Sequence, residues 1–303
     1  MSLLEFAQRF ATTEACLKHL ESTRWAQGEF CPRCGSERRI YHFKDGVRHK
    51  CADCRAVFRI TAGTMFGDSP LRLLPKWFAA IYLVTEHRKG ISSVQLARDI
   101  GVTQKTAWYM MHRIHKAAGK AFEEGKLLGP VEMDEAYFGA PTARKKKGKR
   151  HGRKGYSEQD SAVLGMKERG GRVRAFRIER PTTKVVTPII HRELATGARI
   201  YTDESSLYSR AGRHFPRYSV THSRDEWVRG EVHSQGIESF WATLRRAYYG
   251  VHHWWSKKHA QRYVDGAAFR VNVRELDGPA RVAVLVEAGA QPESRLQYGE
   301  LVA

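Results

Sequence analysis

Three carboxylates far apart in the chain, Asp134, Asp203 and Glu238, stand at positions where folded chains build sites. Asp134 lies in VEMDEAYFG, where Val131 and Met133 read as the apolar positions of a strand. Asp203 closes a second strand-like run in GARIYTDESSLY. Glu238 belongs to HSQGIESFWATLRR, in which Ile237, Phe240, Trp241, Leu244 and Tyr248 recur at i, i+3, i+4, i+7 and i+11. That is the period of a helix with one buried stripe. Glu238 and Arg245 lie nearly in register at the lip of the stripe. Acids without neighbouring His or Cys are hard oxygen donors, suited to Mg²⁺ or Mn²⁺. Clustered together they repel one another unless a divalent cation neutralises them. Two such ions about 3.5–4 Å apart activate a water or a sugar hydroxyl and stabilise the leaving oxygen of a phosphodiester. Each acid also has an ordinary use: Asp134 as a strand-end charge, Asp203 as a helix N-cap, Glu238 as an ion-pair partner of Arg245. Glu135 and Glu204 beside the aspartates are set aside, because successive strand residues face opposite sides.

A second chemistry is carried by CPRCGSERRIYHFKDGVRHKCADC. Cys31 and Cys34 form one C-x2-C pair, Cys51 and Cys54 another, with sixteen residues between them. Two such knuckles supply four thiolates to one tetrahedral Zn²⁺, a closed structural shell. The polar-tipped hairpin between them completes a zinc ribbon. Cys16 stands alone and reads as a small buried hydrophobe. Paired thiols of this kind suit metal in a reducing compartment rather than disulfides.

The elements that position these groups follow from patterning. The 303 residues carry 52 Lys+Arg against 32 Asp+Glu, a formal net charge of +20, and such a field attracts polyanions, nucleic acid first. No apolar run reaches the ~18 residues of a membrane span, and the N-terminus has no signal-peptide pattern. After the cysteines an apolar helix is expected from about Lys76 to Glu86. A second, capped by Ser92 or Ser93, carries Leu96, Ala97 and Ile100 and stops at Gly101. A third, capped by Thr103, carries Ala107, Met110, Met111 and Ile114. The pair reads as a helix-turn-helix, with Gln104, Lys105, Tyr109, His112 and Arg113 offered to DNA. GKLLGP (125–130) marks a boundary. The run ARKKKGKRHGRK, with Lys145, Lys146, Lys147 and Arg150, reads as a loop that can bind phosphate.

Beyond the boundary the order is strand, hairpin, helix, strand, helix, strand, helix, which predicts a mixed sheet with helices on its faces. The hairpin turns at Gly170-Gly171, the helix TTKVVTPIIHREL contains Pro188, and RYSVTHS forms a further strand. YYGVHHWWSKKH reads as fold rather than site, with Trp254 or Trp255 in the core. The tail after Asp277 reads as a strand and a loose end.

The blocks MDEAYFG, YTDESSLY and HSQGIESFWATLRR…KHAQRYVDGAAFRVNVR resemble the three catalytic blocks of bacterial DDE transposases. More narrowly they resemble the insertion-sequence-1595 family, whose members carry a zinc ribbon before an RNase H-like domain. The resemblance spans roughly residues 25 to 275. It implies that Asp134, Asp203 and Glu238 are the metal-binding triad for two Mg²⁺ or Mn²⁺ ions and that Arg245 contacts phosphate. Many members carry Asn at the position of Gln235, one turn before the glutamate; a carboxylate is the better ligand, which favours Glu238. The implied architecture is α/β: a zinc ribbon with an N-terminal helix (1–68), a helix-turn-helix region (69–128), an RNase H-like mixed sheet (129–276) and a tail (277–303). The implied activity is DNA transposition on double-stranded transposon ends and target DNA. It is carried out by a homodimer or larger synaptic complex, in the nucleoid-associated cytoplasm of a bacterium. A DNA-binding regulator, or a domesticated nuclease or integrase, shares most of these features.

Overall fold

The computed structural model describes residues 2–139, 161–219 and 235–302. They fall into two compact units, Met1–Glu123 with Val273–Ala303, and Glu124–Asn272. Lys145, Lys146, Lys147 and Arg150 lie outside the described residues.

The first unit opens with α1 (Leu3–Arg9) and α2 (Thr13–Arg24). Ser2 and Glu5 cap α1 reciprocally. A three-stranded antiparallel sheet follows in the order β1 (Ile40–His42), β2 (Arg48–Cys51), β3 (Val57–Arg59). Its first hairpin turns where Asp45 accepts the backbone N–H of Val47 and of Arg48, and where Gly46 takes φ +62°. Three helices come next: α3 (Leu74–Glu86), α4 (Ser93–Ile100) and α5 (Gln104–Lys120). Ser92 caps α4 and Thr103 caps α5, with left-handed Gly101 between them.

The end of the chain departs from the strand and loose end expected of it. It forms α9 (Gly278–Ala290) and α10 (Tyr298–Val302), both within the first unit. Asp277 caps α9 through the Ala280 N–H, and a proline stands in the first turn. Val282, Leu285, Val286 and Gly289 are buried at helical spacing. Backbone approach is close here: a Cβ at Gly289 would stand 2.2 Å from the Met65 side chain. The Met65 N–H is shared between Gly289 O and Ser294 Oγ, each at 3.0 Å.

The second unit is built on a five-stranded sheet: β4 (Val131–Phe138), β5 (Ser161–Glu168), β6 (Val173–Ile178), β7 (Ile200–Thr202) and β8 (Arg217–Ser219). The spatial order is β6-β5-β4-β7-β8. β4, β5 and β6 run antiparallel, whereas β7 and β8 join β4 in parallel. Helix α6 (Thr183–Glu193) connects the two halves, with Pro188 inside it on an exposed position. Where a helix was expected after Asp203, the chain makes two 3₁₀ turns, Ser206–Tyr208 and Ala211–Arg213. One face of the sheet packs Val131, Met133, Leu164 and Ile200 with Ile190 of α6 and Tyr208.

The other face receives α7 (Gln235–Ala247), whose buried stripe is Ile237, Phe240, Trp241, Leu244 and Ala247. A π-helical turn, Tyr248–His252, leads on to α8 (Lys257–Asn272). Trp255 is buried against Phe138, Tyr248 and Tyr263, while Trp254 is exposed. Two amides of α8 close the edge of β6. Gln261 accepts from Arg177 N–H at 2.6 Å and donates to Ala175 O at 3.0 Å, and Asn272 brackets Val173 at 2.7 and 3.0 Å. An open strand edge is thereby satisfied from a helix. Among the described residues no helix is long and apolar enough to cross a membrane.

Candidate metal and catalytic centres

Local chain geometry builds the cysteine site. Each knuckle ends in a left-handed residue directly after its second cysteine, Gly35 at φ +72° and Arg55 at φ +56°. The Gly35 N–H returns to Cys31 O at 2.9 Å, so that each pair of thiols turns inward. The four Sγ atoms lie within 4.8 Å of one another, with Cys31–Cys54 and Cys34–Cys51 both at 3.7 Å. Zn–S bonds of about 2.3 Å in a tetrahedron require S–S edges of roughly 3.8 Å. Size and donor set therefore suit Zn²⁺. Phe58, Ile40 and Trp25 pack around the site and shield it. Cys16 is buried, its thiol pushed up to about 12 by desolvation, and it takes no part.

The carboxylates are brought together by tertiary structure. Asp134 sits mid-strand on β4, opposite Gly165 of β5. A Cβ at Gly165 would lie 2.6 Å from the Trp241 ring and 2.7 Å from Ile237, so the glycine lets α7 settle on the sheet. Trp241 Nε1 then donates to Asp134 Oδ2 at 2.9 Å. β4 and β7 pair as Val131 with Ile200 and Glu132 with Tyr201. Carried two residues further, the same parallel register brings Asp203 beside Asp134 on one face of the sheet. The Asp203 turn is held by Arg217 of β8, which donates to Thr202 Oγ1, Asp203 O and Ser205 O at 2.8–2.9 Å. Asp203 Oδ1 also accepts the Ser205 N–H at 3.0 Å, so part of its ordinary capping use is realised.

Burial raises the Asp134 carboxyl above the usual aspartate range. Hydrogen bonds from the Glu135 backbone and Trp241 oppose the rise, and the charges of Asp203 and Glu238 add to it. The charges of Asp203 and Glu238 thus reach Asp134; the two aspartates are partly buried and Glu238 is exposed. Their oxygen donors are of the kind a divalent cation takes, whereas among the described residues the four cysteines are the group that lies close enough together to hold one ion. Arg245 is exposed two turns further along α7. Glu135 faces the opposite side, where Tyr208 donates to it at 2.7 Å, and Glu204 is exposed.

The sequence pattern did not single out Glu132, although strand alternation places it on the face of Asp134. It is 1% exposed and accepts from Ile237 N–H and from Arg169 Nε, each at 3.0 Å. Trp241 was legible as a stripe residue, but its N–H bond to Asp134 was not.

The DNA face expected on α5 needs correction. Arg113 is fully buried and donates to Leu296 O, Met65 O and Gly67 O at 2.7, 2.8 and 2.5 Å. Tyr109 donates to the same Leu296 O at 2.9 Å, and His112 is buried. The turn around Leu296, between α9 and α10, occupies the face that helical spacing had assigned to DNA. Gln104 and Lys105 remain exposed, bonded to Ser93 Oγ at 2.9 Å and over the Tyr298 ring at 4.8 Å.

Residues 11–57 match the transposase zinc-ribbon domain, and residues 126–272 match the ISXO2-like transposase domain. A protein of Halobacterium salinarum described as an uncharacterized protein in transposable element ISH50 is 28% identical over 291 residues, covering 92% of this chain and 97% of its own length. No solved structure matches the chain. With a ribbon and a carboxylate-bearing domain of one transposase family following each other on a single chain, the protein belongs to the insertion-sequence-1595 family of transposases.

Proposed function

We propose that the chain is a DDE transposase that recognises the ends of its own element and cuts and joins DNA with a divalent metal held by Asp134, Asp203 and Glu238. The observation that carries this reading is the placement of Asp134 on β4, Asp203 at the end of β7 and Glu238 in the first turn of α7, near enough for the charges of the last two to act on the partly buried Asp134. The sheet order, with three antiparallel strands followed by two parallel ones, supports an RNase H-like domain.

Bound Mg²⁺ or Mn²⁺, as two ions, would lower the barrier for an oxygen nucleophile and stabilise the leaving oxygen. The chain's own residues hold the three carboxylates in place, and Arg245, exposed on α7, would contact the phosphate. In the first step water attacks phosphorus and the 3′-oxygen leaves, giving a 3′-hydroxyl and a 5′-phosphate. In the second that hydroxyl attacks a target phosphodiester, forming one P–O bond as another breaks. The α4–α5 pair reads as a helix-turn-helix presenting Gln104 and Lys105, with the ribbon and Lys145, Lys146, Lys147 and Arg150 adding phosphate contacts. Two element ends must be held together, which calls for a homodimer or larger assembly.

The test is Mg²⁺-dependent cleavage and strand transfer on DNA carrying the element's ends, comparing wild type with Asp134→Ala, Asp203→Ala and Glu238→Ala. Each variant is expected to bind the ends and lose both reactions. Retained activity in Glu238→Ala would move the third ligand to Gln235 or a neighbour. Specific binding by wild type without any cutting would make the protein a regulator instead.

A further inference from the structure

We infer that Glu132 is a positioning residue that sets the register of α7 on β4 and thereby presents Glu238 to the metal held with Asp134. The inference rests on the triad reading above and adds a residue outside it. Glu132 and Asp134 share one face of β4, about 6.6 Å apart along the strand. Each is bonded to α7, Glu132 to the Ile237 N–H and Asp134 to the Trp241 indole N–H, at 3.0 and 2.9 Å. Ile237 and Trp241 are four residues apart, a helical rise of about 6 Å. The two spacings match, so the pair of bonds fixes how far the helix slides along the strand. Glu238 follows Ile237 directly and takes its position from that anchor.

Both Glu132 oxygens are engaged, Oε2 with Ile237 N–H and Oε1 with Arg169 Nε. The carboxylate thus serves the first turn of α7, where N–H groups lack helical partners and a negative charge is favoured. Arg169 balances its charge and lies over the Tyr201 ring at 4.4 Å, on the strand that leads to Asp203. Space is tight: a Cβ at Gly236 would stand 2.8 Å from Glu132 Oε2. A buried carboxylate this close to the triad yet bonded away from it orients ligands rather than acting as one.

The test is Mn²⁺ binding to the full-length protein without DNA, followed by electron paramagnetic resonance, for wild type, Asp134→Ala, Glu132→Gln and Gly236→Ala. Thermal unfolding of each is measured alongside. Wild type is expected to bind Mn²⁺ in a way that Asp134→Ala abolishes. Glu132→Gln and Gly236→Ala are expected to weaken binding by roughly 10- to 100-fold while remaining folded. In a DNA-cleavage assay the Mn²⁺ concentration for half-maximal rate should rise for both, with end binding unchanged. Gly236→Ala keeps the carboxylate and moves only the anchor, so it decides the matter if Glu132→Gln does not fold. Wild-type Mn²⁺ affinity in a folded Gly236→Ala or Glu132→Gln would overturn the positioning role and leave the triad standing. Absence of Asp134-dependent binding in wild type would instead overturn the triad reading on which it rests.

Discussion

The cysteine cluster and the proposed carboxylate site are assembled by opposite means. The thiolates of the ribbon come from one continuous hairpin-sized stretch, Cys31 to Cys54, and each knuckle is shaped by its own backbone turn. The carboxylates come from the middle of β4, the end of β7 and the first turn of α7, and nothing local draws them together. At the ribbon, four sulfurs within 4.8 Å form the donor set of one cation, whose binding is coupled to folding because the thiols must ionise and converge to take it. At the sheet the dependence runs the other way: packing creates the cluster, and Asp134 sits at raised pKa because the fold puts it there. A site made by sequence-local turns is thus a folding element, while one made by tertiary packing is a burden the fold carries.

That contrast breaks or sharpens most strongly at the cysteines. Cys31→Ser, or chelation of wild type, should remove the metal and unfold the ribbon, at a cost on the order of 10 kcal/mol of binding free energy coupled to folding. Zinc analysis and hydrogen exchange over residues 31–59 check this, and a ribbon that stays protected without metal would end the contrast. Asp134→Asn should do the reverse. Cutting and joining fall by roughly 10³-fold or more, yet the melting temperature holds or rises, because a desolvated charge is gone.

Next in size is Arg113→Ala, which leaves the Met65 and Gly67 carbonyls without their buried donor and Leu296 O with the Tyr109 hydroxyl alone. We expect about 3 kcal/mol lost in urea unfolding, with Lys a poor replacement because one ammonium cannot span three acceptors in that geometry. Equal stability joined to weaker DNA binding would return Arg113 to the DNA face. Gly165→Ala should cost about 1–3 kcal/mol by pushing Trp241 and Ile237 away from the sheet. It should also weaken Mn²⁺ binding, which a purely structural change at the ribbon would not do. The smallest effect is expected at Arg55, a non-glycine residue at φ +56° in the position that Gly35 fills in the other knuckle. Arg55→Gly should stabilise the zinc-loaded protein by up to about 1 kcal/mol, read as a shift in melting temperature.

Much of the local structure was legible because its causes are local. Ser92 and Thr103 cap the helices expected of them, Gly101 closes the turn between, and the stripe from Ile237 to Leu244 is buried as its period requires. VAVLV in the tail has the composition of a strand yet folds as part of α9. The Asp277 cap and the proline of the first turn were the helix signals within it. That single difference also explains the error on α5, since a helical spacing shows which residues share a face but not what covers it. The segment after Asp203 became 3₁₀ turns rather than a helix, too short to carry a repeating period.

By itself the sequence determined the ribbon, the individual strands and helices, and the three acids with chemistry of one kind, because turn residues, periodicity and side-chain type act over a few residues. Only the tertiary structure decided that Asp203 follows Asp134 across a parallel pair, that Glu132 and Trp241 tie α7 to β4, and that Arg113 is buried under the chain end. Those choices depend on register and on which faces meet. Register and facing are settled by the shared burial of apolar surface and the pairing of buried polar groups, which no short stretch of chain can specify alone.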